Sequence, residues 1–299
     1  MAATLAFNTQ FEPQTGLPIP VAPGLVRITA PNASPYTFTG TNSFLLGQQR
    51  LALVDPGPDD PAHLAALRQA IAGRPVEAII LTHTHRDHSA AAARLGKEWG
   101  VPLWFGGPHR LSRPLRRFER NPLVRSCDWD LVPDRTLVDG ETLLAGDVTI
   151  SVHATPGHCA NHLAFGLGDV LLSGDHVMGW NSTLVSVPDG SMADYLASLD
   201  MVIDLPQQLY VPAHGGPIEN GPAFASALKA HRQKRNAQVV AAVQSGARSV
   251  GAIVRAIYPS QSFMVRRAAG LTIAAHVEYL QALGQLRVTR RPWGTRITP

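Results

Sequence analysis

The sequence predicts an α/β layered domain followed by a smaller helical module, and three observations carry that prediction. Between Gly24 and His214, short runs rich in Val, Ile and Leu alternate with helix-like segments, the rhythm of an α/β fold. The Gly- and Pro-rich stretch GGPIENGP, residues 215–222, ends that rhythm. Beyond it come long helical patterns and then two short β-like runs around RPWG. With 299 residues, 45% of them hydrophobic, the chain can bury a sizeable core, which excludes a disordered protein.

Taken in order, RLALVD, PVEAIIL, VPLWFG, VTISVHA, DVLLSGD and QQLYVPAH read as strands. DDPAHLAALRQAIAG reads as a helix, with Asp60 as cap, Pro61 at the first helical position and Gly73 just beyond its end. A second helix is expected through SAAAARLGKEWG and a third through SMADYLASLDMVIDL, capped by Ser191. The loop places a domain boundary between residues 1–221 and 222–299. In the second part PAFASALKAHRQKRNAQVVAAVQSG, SVGAIVRAIYP and MVRRAAGLTIAAHVEYLQALGQL read as helices, and LRVTR and TRITP as strands joined by a tight turn. Three helices followed by a hairpin make a winged-helix domain.

Charge divides at the same place. The whole chain carries +4, but from Pro222 onward twelve Lys and Arg face one acid, Glu278, leaving the first part at −7. Such a split fits two modules with different partners, the second suited to an acidic or polyanionic one. Unbroken apolar runs such as residues 78–81 fall far short of the about 20 residues that a membrane span needs, so no membrane partner is expected. The opening MAATLAFNTQFEP has no basic start followed by an apolar stretch, and the expected compartment is the cytoplasm. Cys127 and Cys159 then read as free thiols.

ILTHTHRDHSA, residues 80–90, crowds three histidines and an aspartate into six positions directly after an apolar run. Alternate side chains of a strand share a face, so His83 and His85 can present two imidazoles to one ion, while Asp87 and His88 on the following turn can face a second. The missing ligands stand at the ends of other expected strands: His158 in HATPGH, Asp175 in LLSGDH and His214 in YVPAHGG. His83, His85 and His158 would hold one ion and Asp87, His88 and His214 the other, with Asp175 bridging them. Imidazole with carboxylate suits two divalent ions, zinc first, with iron or manganese compatible. Two cations beside one water lower its pKa from 15.7 towards about 7, so the expected nucleophile is a bridging hydroxide, with Asp87 orienting it and carrying its proton. Asp55, ending LALVDPG, can take the free N–H of a ligand imidazole or simply form the turn before Pro56. His63, His109, His231 and His276 read as structural residues, and Cys159 as a small buried filler.

The ordered set H-x-H-x-D-H, T-P-G-H, G-D and P-x-H-G resembles the metallo-β-lactamase superfamily over about residues 20–220. GTNSFLLG, VDPG, TPGHCANH and AHRQKRNAQ, followed by HVEYLQALGQL, narrow the resemblance to the β-lactamase-like-protein-2 group. The resemblance implies an αβ/βα sandwich with metals at one edge, and bracing roles for Asn42 and His162; it brings in a group that includes a nuclease of single-stranded RNA. PAH stands where relatives often have PGH, which leaves His214 in place. True β-lactamases place Cys or Ser where Asp175 stands, so that activity is not expected.

Two substrate classes follow. HRLSRPLRRFERNPLVR, residues 109–125, carries six arginines, among them Arg116 and Arg117, and could form a flap over the site or a solvated amphipathic helix. In the first reading the enzyme is an endoribonuclease or phosphodiesterase, and Arg266, Arg267, Arg287, Arg290 and Arg291 grip phosphates of single-stranded RNA. In the alternative it cleaves a small-molecule thioester, ester or lactone in the manner of glyoxalase II; Trp180 shapes the acyl site, and the winged helix is structural or joins two copies in a homodimer.

Overall fold

The computed structural model describes residues 5–291 and 294–299, apart from the side chains of Met264 and Arg291. Its first sheet runs in chain order: β1 (Ile19–Ala22), β2 (Leu25–Thr29), β3 (Asn42–Leu46), β4 (Leu51–Val54), β5 (Val76–Ile80), β6 (Leu103–Phe105) and β7 (Arg135–Thr136). Pairing is antiparallel from β1 to β4 and parallel from β4 to β7. The second sheet holds β8 (Thr142–Ala145), β9 (Val148–Ala154), β10 (Leu163–Leu167), β11 (Val170–Gly174) and β12 (Leu209–Pro212), with only β11 and β12 parallel.

Alternation along the strands stacks these sheets. On β4, Ala52 and Val54 face Val152, Phe165 and Leu172 of the second sheet, while Leu51 and Leu53 turn to the opposite side. There they meet Leu64, Leu67 and Ile71 of α1 (Pro61–Ile71) and Leu95 of α3 (Ala92–Trp99), past the single turn α2 (Arg86–Ser89). The outer face of the second sheet, through Leu171 and Tyr210, is covered by Tyr195 and Leu199 of α4 (Met192–Ile203) and by Ala225 and Leu228 of α5 (Gly221–Gln244). Four layers result, helix, sheet, sheet and helix, the expected α/β sandwich. Asp60 caps α1 by accepting the His63 N–H at 2.9 Å, and Ser191 caps α4.

Two expectations need correction. The helix expected through residues 89–100 is divided: the Ala91 N–H points at Gly57 O, which sets α2 apart from α3 and lets His88 face inward. Residues 109–125 form no amphipathic helix; they run as turns, because Ser112, Arg110 and Asn121 spend their polar groups on backbone and side chains of other segments.

After α5 come α6 (Val250–Ile257), α7 (Phe263–Ala282) and the hairpin β13 (Arg287–Arg291) with β14 (Gly294–Thr298). Val239, Ile253, Val277, Leu286 and Ile297 form a core of their own, yet Ala225 and Leu228 of α5 and Ala275 of α7 pack into the sandwich's outer layer. No helix among the described residues is long and apolar enough to cross a membrane.

His276 of α7 donates from Nδ1 to Asn236 Oδ1 of α5 at 2.6 Å, and among the described residues its Nε2 has no hydrogen-bond partner. Burial, and then the charges of Arg232, Arg235 and His231, push its pKa down to about 2. The folded value lies below the unfolded one, so this contribution is complete above pH about 6.5 and drains away as the pH falls towards 2. One such group costs up to about 1.4 kcal/mol per pH unit on the acid side. Thermal melting between pH 7 and 5 should therefore fall less steeply in His276→Gln than in wild type; equal slopes would contradict it.

Candidate metal centre

Every residue of the cluster stands where a strand has just ended. β5 stops at Ile80, and the chain then presents His83 and His85 before turning into α2 with Asp87 and His88; His158 follows β9, Asp175 follows β11 and His214 follows β12. The five imidazoles and Asp175 are buried, and Asp87 is partly exposed at the mouth.

Each imidazole has one nitrogen spent outward and one directed inward. His83 Nδ1 donates to Thr82 Oγ1 (3.0 Å), whose own proton goes to Asp55 Oδ2 (2.7 Å). His88 Nδ1 donates to Asp55 Oδ2 (3.0 Å), His85 Nε2 to Asp189 Oδ2 (2.9 Å), His158 Nδ1 to Leu184 O (2.6 Å) and His214 Nδ1 to Gly40 O (3.2 Å). The other nitrogens converge. His85 Nδ1 lies 3.1 Å from His83 Nε2 and 2.8 Å from His158 Nε2, while His214 Nε2 lies 3.3 Å from Asp87 Oδ2. Asp175 spans both groups: Oδ2 is 3.5 Å from His158 Nε2, and Oδ1 is 3.3 Å from His214 Nε2 and 3.6 Å from His88 Nε2.

His83, His85 and His158 thus form one triad able to hold a cation, and Asp87, His88 and His214 another. A cation fits the chemistry: among the described residues His88 Nε2 and Asp175 Oδ1 are buried without a hydrogen-bond partner, and ligands at about 2.0–2.1 Å from one ion sit roughly 3 Å from each other. Electrostatics agree. Burial opposes charge on Asp87 and Asp175, but His88 and His214 hold both carboxyls well below the usual range. The same carboxylates overcome burial to raise His88 and to lift His214 to about 9, a demand for positive charge that a divalent cation also meets. Burial, then neighbouring imidazoles, lowers His83 and brings His158 to about 4.

Around this cluster Asp55 also accepts the Thr82 N–H at 2.8 Å, fixing the exit of β5. Asn42 donates to Pro212 O and Gly215 O on either side of His214. His162 Nε2 accepts the Asp175 N–H at 3.0 Å. Trp180 stacks on Phe38 with ring centroids 4.9 Å apart, against Gly215.

The basic candidates are placed elsewhere. Arg116 pairs with Glu278 of α7, Arg117 lies exposed over Phe118, and Arg266 donates to Gln261 O and Pro259 O. Arg267 and Arg290 are exposed, and the Arg291 side chain lies outside the described residues. Among the described residues none of these arginines hydrogen-bonds to the cluster.

Sequence reasoning missed Asp189. It is fully buried and accepts from His85 Nε2 and from His109 Nε2 (2.8 Å), whose Nδ1 meets Thr84 Oγ1 at 2.8 Å. His109, read as structural, thus shares a carboxylate with His85. In the sequence Asp189 stands in VPDGS, which signals only a turn.

Residues 36–214 match the sequence profile of the Metallo-beta-lactamase superfamily. An atrochrysone carboxyl ACP thioesterase of Aspergillus chevalieri is 29% identical over 75% of this chain and 67% of its own length. A beta-lactamase-like protein 2 homolog of Drosophila melanogaster is 27% identical over 89% of this chain and 90% of its own. The crystal structure of a beta-lactamase domain protein from Burkholderia ambifaria superposes with a TM-score of 0.80 at 27% identity, covering 97% of this chain and 95% of that one.

Proposed function

The chain belongs to the metallo-beta-lactamase superfamily and is a metallo-hydrolase; we propose that it cleaves an acyl thioester or ester at a two-ion centre. His83, His85 and His158 would hold one ion, Asp87, His88 and His214 the other, and Asp175 both. Zinc suits this donor set best, with iron or manganese compatible. Such ions, when bound, supply Lewis acidity that makes water nucleophilic at neutral pH and polarises the carbonyl. Asp87, partly exposed and within 3.3–3.4 Å of His214 and His88, orients the attacking water and takes its proton on a carboxylate oxygen. The outward hydrogen bonds of the five imidazoles keep their inward nitrogens aimed without rearrangement.

The observation that carries the substrate class is the segment from Arg110 to Trp129. It borders the first triad: Arg86 N–H donates to Ser126 O, and Trp129 stands edge-on to His109 at 4.4 Å. Its inner arginines are occupied, Arg113 by Glu119 and Glu278 and Arg116 by Glu278, whereas Leu115, Phe118 and Val124 are exposed. An apolar acyl chain suits that border better than a phosphate backbone does. The thioesterase relative points to the same class.

A phosphodiester is the second reading, favoured by the twelve basic residues against Glu278 after Gly221. Here α5–α7 with β13–β14 act as a winged helix, gripping single-stranded RNA through Arg266, Arg267, Arg290 and Arg291. The two readings separate in one assay, in which zinc-loaded protein is offered acyl thioesters, carboxylic esters and an end-labelled single-stranded RNA. We expect thioester turnover that chelator abolishes and zinc restores, and that Arg290→Ala leaves within about twofold of wild type, as surface changes usually do. RNA cleavage with inert thioesters would reverse the assignment.

A further inference from the structure

Two imidazoles of the first triad, His85 and His158, hang on a different part of the molecule from the rest of the cluster, His83 included, which reaches Asp55 through Thr82. His88 is held by Asp55 at the end of β4, and His214 by Gly40 O just before β3, both in the first sheet's framework. His158 and His85 are held by Leu184 O and Asp189, which lie in the loop between β11 and α4. That loop is fastened from outside the sandwich.

The first fastening is Arg232 of α5. It is only 3% exposed, its Nη2 donates to Thr183 O, and its guanidinium lies 5.1 Å from the Tyr195 ring centre. Among the described residues it has no carboxylate partner, and its Nε has no hydrogen-bond partner. A buried, unpaired cation is costly, and stability alone would favour an apolar residue of the same size. What this one secures is the peptide immediately before Leu184, whose carbonyl fixes the tautomer of His158.

The second fastening is Glu278 of α7, which binds Arg113 and Arg116. The neighbouring Ser112 donates from N to Pro188 O and from Oγ to Gly190 O, clamping the two residues that flank Asp189. Asp189 in turn holds His85.

We infer that Arg232 and Glu278 are positioning residues for the His83, His85 and His158 ion alone, so that the C-terminal helices set the affinity of one of two ions and leave the other untouched. This rests on the two-ion reading above. The test is a calorimetric titration of chelator-stripped protein with Zn2+, repeated with Co2+ to follow its visible spectrum, on Arg232→Met, Arg232→Lys, Glu278→Gln and Asp55→Asn. Melting in chelator confirms that each variant is folded, and the partly exposed Glu278→Gln keeps the test alive should Arg232→Met fail to fold.

Wild type should bind two ions. In Arg232→Met and Glu278→Gln one of them should weaken by about 10- to 100-fold, the usual effect of losing a partner behind a metal ligand, with the other unchanged. Arg232→Lys, which keeps a donor, should recover most of the loss. Asp55→Asn, which reaches His88 directly and His83 through Thr82, should instead weaken both ions, the contrast that marks the Arg232 and Glu278 effects as one-sided. Two ions on wild type, with Arg232→Met and Glu278→Gln either retaining both or losing both equally, would overturn this inference alone. Fewer than two ions on wild type would remove the two-ion reading, and this inference with it.

Discussion

Asp175→Asn will lower turnover by about 10³-fold or more and will cost the protein at least one of its bound ions. Asparagine has nearly the shape of aspartate, so the fold around β11 has no reason to move. What changes is charge. One oxygen of Asp175 faces His158 and the other faces His214 and His88, so the carboxylate reaches both triads. It is ionised against the cost of burial because His214 and His88 stand beside it. An amide removes that charge and points N–H donors at nitrogens that need to stay bare. A thousandfold loss corresponds to about 4 kcal/mol of transition-state stabilisation, within the range found when one preorganised electrostatic contact is deleted. Metal analysis together with kcat/KM on the best substrate measures both effects. A variant that kept both ions and turned over within tenfold of wild type would show that Asp175 does not bridge the centre.

How much of this was legible beforehand follows from the range over which each residue acts. The sandwich could be read because β4 and β5 are short apolar runs buried on both faces, a pattern local to a few residues. The cluster could be read because its members sit directly after such runs, where sheet edges gather side chains. β10 escaped notice: LAFGL is interrupted by Gly166, kept because a Cβ there would lie 2.4 Å from Ser151 Oγ. Asp189 escaped because its partner His85 is 104 residues away and its own surroundings spell only a turn. Arg116 was legible as a cation but not as a paired one. Its partner Glu278 lies 162 residues downstream, and no spacing rule spans that distance. Local pattern therefore yielded the cluster, while the groups that aim its side chains were visible only once the chain had closed on itself.

Gly157→Ala should be a severely damaging single-methyl change beside the cluster. Gly157 stands one residue before His158 at φ +143, a backbone conformation that residues with a Cβ rarely adopt. A Cβ built there would lie 2.4 Å from Tyr195 Cα and 2.6 Å from Tyr195 N, backbone atoms of α4 that cannot swing aside as a side chain would. The same turn is pinned from the other side, since Ser191 N–H donates to Gly157 O and a Cβ on Gly190 would meet that oxygen at 2.3 Å. Overpacking costs about 1–3 kcal/mol and a strained backbone position about as much again, so the total of roughly 2–6 kcal/mol is a large share of a typical stability. For a chain of this size that lowers Tm by about 4–24 °C. Any relaxation that relieves the clash must move His158 away from His83 and His85, so the rise in Tm that zinc gives wild type should shrink in the variant. Gly246→Ala is the control: it shares a positive φ, +103, but nothing lies within 4 Å of its Cβ, and it should cost only the backbone strain. If Gly157→Ala melted within about 2 °C of wild type, with zinc stabilising both equally, the close contact between the T-P-G-H turn and α4 would not be what holds His158 in place.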